Sequence, residues 1–96
     1  MSGFEYNEGT TAAFSAAKNV TLSPIFVECK TPSKTPIAGG YRMMTSSAEN
    51  LSVISSAPAT NAAGANGWKL EVKNMFFSTT IGNAAVKVWV HCADVK

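Results

Sequence analysis

The chain has few charged side chains and lacks the long apolar segments that mark membrane and secreted proteins. Charged residues make up 15% of its 96 residues, glutamine is absent and histidine occurs once. The chain contains no run of about 18 apolar residues, so a transmembrane helix is not expected. The first twenty residues include Glu5 and Glu8, so we expect no secretory signal there. Because a net charge of +2 gives little attraction for nucleic acid, we expect neither nucleic acid nor a membrane as a partner.

Motifs that carry catalysis or bind metals are also missing. The chain contains no Gly-x-Ser-x-Gly, no phosphate-binding loop and no paired carboxylates within a motif. His91 and Cys92 are adjacent in a predicted strand, so their side chains face opposite sides and cannot form a dyad. One histidine and two isolated cysteines provide no close pair of metal ligands. We expect a non-enzymatic protein without a metal or a cofactor.

The two cysteines leave two interpretations open. Cys29 and Cys92 each end a predicted strand, and a disulfide between them would close a loop of about 60 residues. Without a secretory signal, reduced and half-buried thiols are the default expectation. The sequence favours free thiols and does not decide the pairing.

Small neutral residues fill much of the composition. Ala, Ser, Thr, Gly and Asn together account for 47 residues, while two Trp and five Phe argue against a disordered chain. A surface of short side chains loses little rotamer entropy on contact and is easily desolvated. The composition therefore favours a protein whose surface is covered by copies of itself or by a larger assembly.

Alternation of apolar and polar residues predicts five β-strands. Hairpin connections are expected between the second and third and between the fourth and fifth, because the intervening turns are short. A proline within the first strand, together with a shift of the apolar phase by one residue, predicts a bulge or bend near Pro24. The predicted strands are Val20–Cys29, Ile37–Ser46, Asn50–Ser56, Trp68–Thr80 and Ala84–Ala93, with a long neutral loop over Ala57–Gly67.

The first nineteen residues differ from the rest of the chain. Gly3, Asn7 and Gly9 interrupt any strand pattern, whereas residues 10–18 can form two turns of helix if they are docked. We interpret residues 1–19 as an N-terminal arm with the capacity for a short helix and residues 20–96 as a β domain. The predicted fold class is all-β, a small antiparallel sandwich or barrel of five to seven strands.

Trp89 is the leading candidate for a contact residue. In the last strand Val86, Val88, Val90 and Cys92 point one way, which leaves Lys87, Trp89 and His91 on the outer face. An outward-facing tryptophan marks a subunit interface, a face covered by the arm, or a platform that stacks on sugars. With the aromatic anchors of the arm, the candidate interface residues are Phe4, Tyr6, Phe14, Lys87, Trp89 and His91.

The composition of the chain resembles that of small bacteriophage virion proteins, such as capsid decoration proteins and tail or fibre accessories. This resemblance implies a structural protein located in the virion, whose partners are copies of itself, first of all in a trimer, and a capsid or tail protein. The alternative is a lectin-like carbohydrate-binding module. Its stacking and amide groups would be Trp68, Trp89, Tyr41, Asn61, Asn66, Asn74 and Asn83. A small inhibitor of a host protein, which needs no motif, is a third class.

Overall fold

The computed structural model of the protein describes residues 1–95, which form eight β-strands and one short 3₁₀ helix. All paired strands are antiparallel. They form a front sheet of order β1-β8-β4, a back sheet of order β3-β6-β5 and a small sheet of β2 and β7. The predicted all-β, sandwich-like class is confirmed. The elements are β1 (Ser2–Thr10), β2 (Phe14–Ala16), β3 (Ile25–Glu28), β4 (Thr35–Met43), the 3₁₀ helix (Ala48–Asn50), β5 (Ser52–Thr60), β6 (Asn66–Lys73), β7 (Ile81–Ala84) and β8 (Val86–Asp94).

The front and back sheets face each other and bury aliphatic side chains between them. β8 and β6 are the central strands of their sheets and pack face to face. They contribute the most deeply buried side chains. Burying each of these side chains stabilises the fold by about 1.5–3 kcal/mol relative to leaving it exposed. The core therefore rests on five residues that are at most 1% exposed: Leu70, Val72, Val86, Val88 and Val90.

The alternation read from the sequence is confirmed in both central strands. In β8 the valines point into the core, while Lys87 and Trp89 are half-buried and His91 is exposed on the other side. In β6 Trp68 packs against the core on the same face as Leu70 and Val72. A period of two is a direct consequence of strand geometry, so it survives whatever partners the strand takes.

The bulge expected near Pro24 is also present. Thr21 pairs with Lys73, and Ile25 pairs with Leu70. The chain advances four positions from Thr21 to Ile25, while its partner advances three positions between Lys73 and Leu70. One extra residue is therefore inserted around Pro24. The proline lies outside β3, where its missing N–H removes no hydrogen bond from the ladder.

Both predicted hairpins are wrong. The strands expected over residues 37–46 and 50–56 correspond to β4 and β5, which lie in different sheets and are joined through the 3₁₀ helix. The strands expected over residues 68–80 and 84–93 correspond to β6 and β8, which also belong to different sheets. A short connection brings two strands close together, but it does not decide whether they pair edge to edge or stack face to face.

Two further boundaries differ from the predictions. The strand expected to run to Thr80 ends at Lys73, and the turn expected at residues 81–83 is part of β7, which pairs with β2. The long neutral loop over residues 57–67 is shorter than expected, because β5 continues to Thr60 and β6 begins at Asn66. The side chain of Asn61 closes the remaining turn by accepting hydrogen bonds from the N–H groups of Ala63 and Ala65, each at 3.0 Å.

The expected helix in the N-terminal segment is absent. Residues 14–16 form β2, and the N–H of Thr11 donates to the carbonyl of Val86 at 2.9 Å. Nine residues have too little intrinsic helical stability to compete with an available strand edge. The segment predicted to be an arm also contains β1, which pairs with β8 from Ser2 to Thr10. With these strands and β7 the described residues contain eight strands rather than five to seven.

The interpretation of the cysteines as free thiols is wrong, because Cys29 and Cys92 form a disulfide. Cys92 continues the inward-facing series of β8, and Cys29 follows β3 two residues after the buried Val27. Their Cα atoms lie 5.9 Å apart, within the usual range for a disulfide. The thiol hypothesis rested on the expected cellular compartment, which carries no information about where the two strands meet.

A cluster around Glu5 ties β1 to the loop after β3. The carboxylate of Glu5 accepts hydrogen bonds from the side chain and the N–H of Thr31, both at 2.9 Å, and lies 3.3 Å from Nζ of Lys34. The Thr31 side chain first, then its N–H and Lys34, hold the pKa of Glu5 below its ordinary value of 4.5. Because the ionised form is favoured in the folded protein, the stabilisation is complete above the ordinary pKa and lost as pH falls through the lowered value.

Acidification should therefore remove the contribution of Glu5 to stability. We expect the difference in urea midpoint between the wild type and Glu5→Gln to be largest near neutral pH and to vanish as the pH falls well below 4.5. The measurement is a set of urea unfolding curves between pH 3 and pH 7. Glu49→Gln, which changes an exposed glutamate of the 3₁₀ helix, is the matched control. A difference that is independent of pH would contradict the assignment.

Candidate interaction surface

The outer face of the front sheet carries most of the predicted interface residues. The register pairs Trp89 with Glu8 on one side and with Gly40 on the other, and directly paired residues share a face. Within residues 1–95, no element lies across this face, since the back sheet packs only on the opposite side. We call this surface the Trp89 face. Its members are Tyr6, Glu8, Thr10, Ala38, Gly40, Arg42, Lys87, Trp89 and His91.

The position of the Trp89 ring depends on a glycine beneath it. A Cβ atom at Gly40 would lie 2.7 Å from Cζ2 of Trp89, so the indole lies over the backbone of β4. Gly39 makes room for the other tryptophan in the same way, because a Cβ atom at Gly39 would overlap the ring of Trp68 in the core. Adjacent strand residues face opposite sides. The Gly39-Gly40 pair therefore accommodates one tryptophan on each face of the front sheet.

Aromatic and charged side chains surround Trp89. The rings of Tyr6 and His91 have their centroids 4.8 Å apart at an interplanar angle of 54°. Nζ of Lys87 lies 2.7 Å from Oε2 of Glu8, and Arg42 occupies the position across from Lys87 on β4. Charges of both signs thus border the aromatic centre, as at the rims of many protein interfaces.

The ion pair shifts the titration of both partners. The hydrogen bond to Lys87 is the main cause that lowers the pKa of Glu8, and the hydrogen bond to Glu8 is the main cause that raises the pKa of Lys87. Nearby Arg42 opposes the second shift by disfavouring another positive charge. Since Glu8 is exposed and Lys87 is only half-buried, the pair contributes to the charge pattern of the surface more than to stability.

The structure brings together four of the six predicted interface residues. Tyr6, Lys87, Trp89 and His91 lie on the Trp89 face. Phe4 is 67% exposed and lies at the irregularity in β1 between Ser2 and Glu5. Phe14 lies apart from them, half-buried against the core in β2. The alternative in which the arm covers Trp89 is not what the structure shows, because β1 pairs edge to edge with β8.

The groups proposed for sugar binding do not gather at Trp89. The indole N–H of Trp68 donates to Oγ of Ser56 at 2.8 Å, and its ring packs on the core. Asn61 and Asn66 make hydrogen bonds within the turn they flank, and Asn74 is fully buried. Most of these amides therefore serve the fold.

An exposed apolar loop after β6 was not predicted as a functional feature. We define the apolar loop as residues 74–80; its Met75, Phe76 and Phe77 side chains are all exposed, and Phe77 is 81% exposed. Nδ2 of Asn74 donates to the carbonyl oxygens of Ala16 and Thr79 at 3.0 and 2.9 Å, and Oδ1 accepts from the N–H of Phe76 at 3.0 Å. Two adjacent phenylalanines that break the alternation were the available sequence signal.

Comparisons with known proteins add no relatives. No protein-family model matches the chain, no curated protein is significantly similar in sequence, and no solved structure is significantly similar in fold. Residues 1–95 contain no cluster of three or more His, Cys, Asp or Glu side chains that could hold a metal ion. No helix within the described part of the chain is long and apolar enough to cross a membrane.

Proposed function

We propose that this protein is a non-enzymatic structural protein that assembles with copies of itself or docks on a larger assembly. The observation that carries the proposal is the Trp89 face, where an aromatic centre lies on the outer side of a sheet that no other element of residues 1–95 covers. Tryptophan, tyrosine and arginine are the residue types that dominate binding energy at protein interfaces. The face therefore has the composition of a contact surface.

The low charge of the chain supports the same proposal. In soluble globular domains about a quarter of all residues are charged, whereas in this chain the charged residues make up 15%. Exposed large apolar side chains also occur away from the Trp89 face, among them Phe77 and Ile54. A protein whose surface is buried within an assembly tolerates both the low charge and the exposed apolar side chains.

Among structural proteins, we propose a small bacteriophage virion component, either a capsid decoration protein or a tail or fibre accessory. The compact β domain and its weakly charged composition support this class. The Cys29–Cys92 disulfide supports a protein that works in an oxidising environment, and virion surfaces are one such environment.

Sedimentation tests the self-assembly. We expect the wild type at tens of micromolar to form a closed homo-oligomer, with a trimer as the first expectation, and Trp89→Ala to shift it towards monomer. The reason is that truncating a tryptophan at the centre of an interface removes a large share of the binding energy. A strictly monomeric wild type would contradict self-assembly. An unchanged oligomer in Trp89→Ala would mean that this face is not a contact between copies.

A further inference from the structure

Strand β1 lies at the edge of the front sheet and takes almost no part in the core. Of its nine residues only Glu5 and Asn7 are half-buried, and the other seven are exposed. Both half-buried side chains are polar. Within residues 1–95, the core cluster and the side chains that pack against it all come from residue 14 onwards. Detaching β1 would therefore remove no residue from the core.

A hollow separates the second half of β1 from the back sheet. It has a volume of about 230 Å³, and its lining includes Gly9 of β1, Ile25 of β3 and Val88 of β8. Gly9 follows the half-buried Asn7 by two residues and so faces the same, inward side. A Cβ atom at Gly9 would meet nothing in residues 1–95 within 4 Å beyond its chain neighbours. This half of β1 thus lacks the close packing that holds the central strands.

The first half of β1 is attached through Glu5 and the groups that face it. Nζ of Lys34, from the loop after β3, lies 3.3 Å from Oε2 of Glu5 and donates to the carbonyl of Gly3 at 2.7 Å. Thr31 of the same loop donates to the Glu5 carboxylate through its side chain and its N–H. Asp94 of β8 lies 3.9 Å from the same Nζ. This attachment is polar and depends on charge.

The second half of β1 is attached through Glu8. Its carboxylate lies 2.7 Å from Nζ of Lys87 on β8, while Arg42 of β4 lies across from Lys87 and Tyr6 neighbours the pair on β1. Ion pairs at this degree of exposure are weak and are screened by salt. Apart from the backbone ladder to β8, the attachment of β1 therefore depends mainly on two ionised glutamates.

The remaining strands are fastened to one another without β1. The Cys29–Cys92 disulfide joins β8 to the residue that follows β3, and β4 pairs with β8 along its other edge. The inward valines of β8 stay packed against the back sheet whether or not β1 is present. β8 can therefore keep its place when its neighbour leaves.

We propose that β1 is a detachable strand, which opens as a unit from the edge of β8 while the rest of the sandwich stays folded, and that acid promotes the opening. Opening frees the N–H and C=O groups along that edge of β8, and an unpaired edge of this kind is a template for a further strand. The inference goes beyond the self-assembly proposed above and does not depend on it.

The direction of the acid effect follows from the two glutamates. The hydrogen bond from the Thr31 side chain is the main cause that lowers the pKa of Glu5, and the hydrogen bond from Lys87 is the main cause that lowers the pKa of Glu8. Both groups are therefore more readily ionised when β1 is in place than when it is detached. Their contribution is complete above the ordinary pKa of 4.5 and is lost as pH falls through the lowered values.

Hydrogen exchange of the full chain tests the separate opening. At low micromolar concentration and neutral pH, we expect the hydrogen-bonded amides of β1 to exchange at least about tenfold faster than those of β6. Urea below the unfolding transition should accelerate β6 much more than β1, because a local opening exposes little surface. Equal rates and equal urea dependence in the two strands would show that β1 unfolds only with the core, and would overturn the inference.

Variants with opposite expected effects test what holds the strand. Glu5→Gln and Glu8→Gln each weaken a contact with a lysine and should speed the exchange of β1 about two- to fivefold, in keeping with exposed ion pairs. Gly9→Val places apolar carbons in the hollow and should slow it at least about threefold. Glu49→Gln, on the exposed 3₁₀ helix, is the matched control and should leave the rate unchanged. If neither glutamate variant changed the rate, the proposed attachment would be wrong.

The pH dependence of the same exchange tests the acid effect. After correction for the intrinsic exchange rate, the protection of the β1 amides should fall between pH 6 and pH 3.5, while the amides of β6 remain protected. The fall should be much smaller in the double variant Glu5→Gln/Glu8→Gln. A fall of equal size in the double variant, or loss of protection in β6 together with β1, would overturn the inference.

Discussion

Replacing both Cys29 and Cys92 by alanine should lower the free energy of unfolding by about 4 kcal/mol. The disulfide joins residues 63 positions apart, and in the chain-entropy model a loop of this length restricts the unfolded chain by about that amount. Small domains are stable by about 5–15 kcal/mol in total. The loss would therefore take a large part of the stability and bring the protein close to unfolding at 37 °C.

Guanidinium unfolding with and without reductant measures this effect. The wild type in reductant should approach the midpoint of the double variant, and the double variant should not respond to reductant. Alanine is preferred to serine because both sulfur positions are buried, and a hydroxyl there would need a hydrogen-bond partner. A wild-type midpoint that is the same in oxidised and reduced samples would show that the disulfide does not form in solution.

The disulfide also illustrates what local patterns can and cannot predict. Alternation placed Cys92 on the same face as the buried valines of β8, and that face was predicted correctly. The pairing depends on β3 and β8 facing each other across the sandwich, which is a contact between residues distant in sequence. Periodicity describes one strand at a time and contains no information about its neighbours.

The same limit explains the errors in strand pairing. β6 and β8 were each recognised from alternation, but they lie in different sheets instead of forming a hairpin. The segment between them contains β7, which pairs with β2. β1 was missed because its three polar or glycine interruptions gave no apolar face. As an edge strand it is stabilised by backbone hydrogen bonds to β8, which require no particular side chains.

The candidate surface was predictable in part for the same reason. The sequence placed Lys87, Trp89 and His91 on one face because they belong to one strand, and the structure adds Tyr6 to them through the register of β1. The role of the glycine beneath Trp89 was not predicted, because it depends on a ring contributed by a neighbouring strand. Features within a strand were therefore accessible to prediction, and features between strands were not.

Trp68→Ala and Trp89→Ala should have opposite consequences. Trp68 packs on the core and its indole N–H donates to Ser56, so its truncation should cost about 3–5 kcal/mol of monomer stability. Trp89 lies outside the core on the front sheet, and its truncation should change monomer stability little while weakening association by about 2 kcal/mol or more. Urea unfolding at a concentration low enough to give monomers measures the first quantity, and sedimentation of concentrated samples measures the second.

The two glycines beneath the tryptophans provide a second, independent pair of variants. Gly39→Ala would push a methyl group into the ring of Trp68, and Gly40→Ala would push one against Trp89, so neither variant removes a tryptophan. Overpacking a core typically costs about 1–3 kcal/mol, which predicts a loss of monomer stability for Gly39→Ala. Gly40→Ala only lifts an outer ring from the sheet, and its main effect should fall on association. A contrary result would be that Gly40→Ala and Trp89→Ala destabilise the dilute monomer as much as Gly39→Ala and Trp68→Ala do. The Trp89 ring would then belong to the packing that holds the front sheet together, and its face would have no separate role in assembly.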